Sequence, residues 1–78
     1  MITVRLFAAA RDAAGTPETT VEAATAAELT DALEAAFGPR MAQVLAVSSL
    51  LASGRRLQPT DDLLPGTQVD VLPPFAGG

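Results

Sequence analysis

The sequence predicts an α+β fold, a mixed sheet with one main helix packed on one face. Three observations carry this. Residues 2–7 and 68–72 alternate side chains with period two, residues 26–37 repeat their apolar positions at helical spacing, and turn chemistry divides the remainder into short pieces.

In 2–7 (ITVRLF), Ile2, Val4 and Leu6 share one face and Thr3, Arg5 and Phe7 the other, the pattern of a half-buried strand. AAARDAAG at 8–15 holds good helix formers and ends on a glycine, which predicts a short helical turn capped at Gly15. PETTVEA at 17–23 is a second strand, hairpin-paired with the first. The clearest helix runs from Ala26 to Phe37. Thr25 stands at its N-cap with Glu28 three residues on, the capping-box spacing that satisfies two orphan donors. Leu29, Leu33, Ala36 and Phe37 make one apolar stripe. Gly38 suits a left-handed C′ position, and Pro39 blocks continuation. Glu28, Asp31 and Glu34 lie on the flank away from the stripe and read as a solvated helix face rather than metal ligands.

MAQVLAV at 41–47 fits either a helical turn or an extended lead-in. SLLA (49–52), the turn Ser53-Gly54 and RRL (55–57) form a short hairpin, because this dipeptide tolerates positive φ. PTDDLLPG at 59–66 is expected to hold one helical turn anchored by Leu63 and Leu64. In 68–72, Val69 and Val71 point inward, Asp70 and Leu72 outward. Hairpin, helix, hairpin, turn and final strand is an order that suits the β-grasp (ubiquitin-like) arrangement, whose first and last strands run parallel at the middle of the sheet. Other small α+β folds share the spacing. The expected organisation is a body over 1–72 and a flexible C-terminal Gly-Gly tail over 73–78.

Composition narrows the chemistry. The 78 residues contain no cysteine and no histidine. Disulfides, Cys/His zinc sites, Ser-His-Asp triads and histidine bases are thereby excluded. A chain of this length buries only about 60–65% of its unfolded surface, so the 49% hydrophobic content must supply the whole core. The net charge of −4 argues against nucleic acid, which needs clustered cations. All five positive side chains are arginine (Arg5, Arg11, Arg40, Arg55, Arg56), so the N-terminus is the one primary amine. No apolar run approaches the ~18–20 residues of a membrane span, and MITVRLF is no secretory leader. A cytoplasmic location is expected by default.

The tail carries what chemistry remains. Pro73 and Pro74 cannot extend a sheet ladder and favour an extended stalk. Phe75 is a lone aromatic that a partner pocket would bury. Gly77 and Gly78 lack Cβ, so their backbone can enter a narrow channel. The reactive group would be the α-carboxylate of Gly78, ionised at neutral pH because such groups titrate near ~3.5. Adenylation by another enzyme would convert it to a mixed anhydride, and attack by a sulfur donor would then give a thiocarboxylate. At about 7% glycine usage a Gly-Gly end arises by chance in about 0.5% of chains, although chain ends are also commonly disordered without purpose. The Pro-Pro-Phe lead-in and the order of elements give it weight. Strand parity adds that Phe7 and Leu72 both face outward near the tail, with Leu57 close by. Either these form an exposed apolar docking patch, or segment 8–15 folds over Phe7 and hides it.

The opening MITVRLFAAARDAAG, the segment DDLLPGTQVDVLPPFAGG and the helix between them resemble the MoaD/ThiS sulfur carriers along essentially the whole chain. The resemblance is closest to the MoaD subgroup, the small subunits of molybdopterin synthase. There a strand is followed by Phe-Ala-x-x-Arg-x-x-x-Gly, matched by Phe7, Ala8, Arg11 and Gly15. ThiS carriers are usually shorter, with a turn directly after the first strand. The stretch before Ser53-Gly54 and the pair Arg55-Arg56 departs from the family's usual middle.

The resemblance implies a carrier with no catalytic side chains of its own and no stably bound cofactor. An adenylating enzyme of the ubiquitin-activating type would use ATP and magnesium on Gly78, and a sulfurtransferase would supply sulfur. The synthase's large subunit would accept the tail and build the dithiolene of molybdopterin. Gly77 would thread the channel, while Phe7, Leu57, Leu72, Pro73, Pro74 and Phe75 would help dock. Three other readings stay open: a ThiS-like or specialised sulfur carrier (thiazole, cysteine, other metabolites), a ubiquitin-like protein modifier, and a passive interaction domain.

Overall fold

The structure is a computed structural model and describes residues 1–74. Along the chain run β1 (Ile2–Leu6), α1 (Ala8–Ala14), β2 (Glu18–Val21), α2 (Ala26–Phe37), α3 (Pro39–Val47), β3 (Ser49–Ala52), β4 (Arg55–Arg56) and β5 (Gln68–Leu72). The strands form one sheet in the order β2-β1-β5-β3-β4. Its two central strands, β1 and β5, are parallel, with Val4 opposite Val69 and Leu6 opposite Val71. The β2 and β3 strands flank them in antiparallel pairs. This is the β-grasp arrangement the element order predicts.

One face of the sheet is covered. Ile2, Val4, Leu6, Val69 and Val71 are buried on it against Ala10 of α1, Leu29 and Leu33 of α2, and Met41 and Leu45 of α3. Each fully buried leucine contributes about 1.5–3 kcal/mol by leaving water. The opposite face of the sheet carries Thr3, Arg5, Asp70, Leu51 and Arg56 in register and is open.

The helix α2 begins as its sequence predicts. Thr25 Oγ1 accepts from the Glu28 amide at 3.2 Å, and Glu28 Oε1 accepts in return from the Ala24 amide at 3.0 Å, one residue before the cap. Gly15 closes α1 in the left-handed region at φ 74°, ψ 16°. Ser53 and Gly54 both take positive φ, 52° and 75°, in the two-residue turn between β3 and β4.

One open choice is settled and two expectations change. First, the helix at Ala26–Phe37 has a substantial companion: 41–47 belongs to α3, which starts two residues earlier with Pro39 at its first helical position. Proline lacks only an N–H that is unpaired there anyway, so Pro39 starts a helix as well as ending one. Second, Gly38 between the two helices sits at φ 88°, ψ −168°, outside the left-handed region expected for it. Third, 59–66 contains no helical turn. Its backbone serves α2 instead: the Ala26 and Ala27 amides donate to the Asp61 and Pro59 carbonyls at 3.0 and 2.9 Å, and the Leu63 amide donates to the Ala24 carbonyl at 2.8 Å. Leu63 is buried by that docking, whereas Leu64 is 74% exposed and anchors nothing.

Candidate functional site

The site is the root of the tail. Because β1 and β5 are parallel, both end at the same edge of the sheet. There β1 turns at Phe7 into α1, and β5 gives way to Pro73 and Pro74. The corner is tight: Ala8 opens α1 with φ 51°, a left-handed value that costs a non-glycine residue energy.

Phe7, Ala10, Val44, Val47, Pro73 and Pro74 line an almost wholly apolar hollow of about 270 Å³ at this root. Phe7 and Pro73 are half-buried and Pro74 is exposed. The α1 segment therefore leaves Phe7 partly open. Val47, at the end of α3, is 59% exposed and extends the apolar surface. Sequence reasoning missed Val44 and Val47. The signal was the helical spacing Met41, Val44, Leu45 behind Pro39, which a seven-residue apolar window does not resolve.

On the open face, Leu72 stands opposite Ser49 and is half-buried. Arg5 lies beside Asp70 in register, its Nε 3.9 Å from Asp70 Oδ1, and its guanidinium carbon is 5.4 Å from the centre of the Phe7 ring. Leu57 is not part of this group. Its amide donates to the Leu50 carbonyl at 2.8 Å, and Leu50 pairs with inward-facing Val71. Leu57 thus sits on the helix-covered side, packs against the core, and borders a separate hollow with Arg56 and Pro59. The expectation of Leu57 beside Leu72 is corrected by the hairpin's register. Phe75, Gly77 and Gly78 lie outside the described residues. Among the described residues no group of three or more acidic side chains could hold a metal, and no helix is long and apolar enough to cross a membrane.

A mixed sheet with a parallel central pair, helices clasped on one face, and a last strand followed by two prolines defines a small ubiquitin-like β-grasp protein. Solved structures agree on that fold. The small archaeal modifier protein 1 of Methanosarcina acetivorans matches with TM-score 0.86 at 23% identity, over 99% of this chain and 95% of that one. A Pyrococcus furiosus protein provisionally described as molybdopterin converting factor subunit 1 matches with TM-score 0.79 at 20% identity, over 95% and 97%. A chain of the Amycolatopsis orientalis BexX/CysO complex matches with TM-score 0.83 at 18% identity, over all of both chains. No curated protein sequence matches. The model of the ThiS family matches residues 4–78, and the chain belongs to that family. Its class is that of the small β-grasp sulfur carriers and ubiquitin-like modifiers.

Proposed function

We propose that this chain is a sulfur carrier whose cargo is held at the carboxyl carbon of Gly78. The observation that carries the reading is the reach of the family match, which continues from β1 through Pro73 and Pro74 to Gly77 and Gly78. The chemistry needs nothing from the body except presentation. An activating enzyme joins a carboxylate oxygen of Gly78 to the α-phosphorus of ATP and releases pyrophosphate. Hydrosulfide, delivered by a sulfur donor, then attacks the acyl carbon, forms the C–S bond and expels AMP. The resulting thiocarboxylate is nucleophilic at sulfur and passes that sulfur to an acceptor enzyme.

For the pathway, we favour molybdopterin synthesis, with the chain as small subunit of the synthase. The Phe7, Ala8, Arg11 and Gly15 segment, folded as α1 between β1 and β2, supports it. So does the likeness to the Pyrococcus furiosus protein. Partners on this reading are the adenylating enzyme, the sulfurtransferase and the large synthase subunit, and the activating enzyme brings the ATP and magnesium. A second reading, conjugation of Gly78 to lysines of other proteins, draws on the likeness to the archaeal modifier. The Amycolatopsis likeness keeps a specialised sulfur pathway as a further variant of the first.

Intact mass after incubation with an activating enzyme of this family, ATP and a sulfide source separates these. Replacement of one oxygen by sulfur is the expected change. Adducts at lysines of other proteins would favour the modifier, and an unchanged mass would contradict both. Removal of Gly77 and Gly78 should abolish the change while leaving the melting temperature where it was.

A further inference from the structure

Arg5 stands between two partners, over the ring of one and short of a hydrogen bond to the other. Its guanidinium carbon is 5.4 Å from the Phe7 ring centre, inside the ~6 Å reach of a cation–π contact. Its Nε is 3.9 Å from Asp70 Oδ1, near enough for an ion pair and too far for a hydrogen bond. That oxygen is sealed from solvent and accepts no hydrogen bond, which is a costly state for a carboxylate oxygen. Register puts the three together. Arg5 and Asp70 are neighbours across β1 and β5, and Phe7 lies two residues beyond Arg5 on the same side. Glu18, opposite Arg5 on β2, forms no ion pair with it among the described residues.

We infer that Arg5 is a positioning residue with two seats: over the Phe7 ring in the unbound chain, and hydrogen-bonded to Asp70 once a partner takes that ring face. A shift of about 1 Å brings Nε within hydrogen-bond range of Oδ1. The bond gained at Asp70 offsets the cation–π contact given up at Phe7, so docking at the tail root exposes the aromatic at little cost. The inference rests on the proposed carrier function and takes Phe7, one of the expected docking residues, as meeting the activating enzyme. It adds a residue pair that tunes that docking.

The test combines kinetics with a direct probe. Asp70→Asn keeps the shape of the second seat and removes its charge. In ATP–pyrophosphate exchange with the activating enzyme, it should raise the KM for the carrier about two- to five-fold, the strength of one exposed cation–π contact. The kcat should not move. In an Arg5→Gln background the same change should have no further effect. In the unbound wild-type chain the Arg5 Nε–H resonance should show the ring-current shift of a group over Phe7, and Phe7→Leu should remove it. An equal KM penalty for Asp70→Asn in both backgrounds would overturn the inference, as would an Arg5 resonance indifferent to Phe7→Leu. A wild-type KM for Phe7→Ala would instead refute docking through Phe7, and the resonance would still report where Arg5 sits.

Discussion

At the scale of single residues, backbone conformation and exposure give separable predictions. Gly38 lies in a region essentially reserved for glycine, with open space where a Cβ would go. Gly38→Ala should therefore cost about 1–3 kcal/mol from backbone strain alone, read as a lower urea midpoint with an unchanged slope. Phe7 and Leu72 behave differently, since both are half-buried and neither packs into the buried core. Alanine at either position should weaken binding to the activating enzyme and lower stability by no more than about 1 kcal/mol. A large loss of stability in calorimetry would show that these side chains are structural rather than part of a docking patch.

At the scale of elements, what was legible in the sequence and what was not divide along a physical line. The β1 and β5 strands were readable because Ile2, Val4, Leu6, Val69 and Val71 alternate with outward residues. The α2 helix was readable because Thr25, Glu28 and the leucine stripe are local signals. The α3 helix was not. MAQVLAV is short and apolar enough to suit a strand, and only its burial of Met41 and Leu45 under the sheet settles it. The 59–66 segment failed for the same reason in reverse. Its carbonyls are drawn to the unpaired amides of α2, a contact between parts far apart in sequence. Leu57 failed through register, because the pairing of β3 with β5 decides which side of the sheet the hairpin presents. Helix packing has its own check. Leu33 is fully buried beneath the sheet, so Leu33→Ala should cost about 2–5 kcal/mol, and in so small a domain much of the population should unfold at moderate urea.

At the scale of the whole molecule, the body on the proposed reading acts as a holder. Parallel pairing of β1 with β5 brings the end of the last strand beside Phe7, and the apolar hollow at that corner borders Pro73 and Pro74. That β1 and β5 end at one corner was legible from the order of elements and strand parity. The α3 wall of that hollow, Val44 and Val47, was legible only once the helix was placed. The central claim is that the sulfur-bearing carbon is the carboxyl carbon of Gly78. Its most direct measurement is the intact and fragment mass of the chain after activation with ATP and sulfide, set beside a chain carrying one extra, uncleavable residue beyond Gly78. The account predicts an oxygen-to-sulfur exchange confined to Gly78 in the first chain and none in the second. Equal sulfur loading of both, or sulfur found on any other residue, would contradict it.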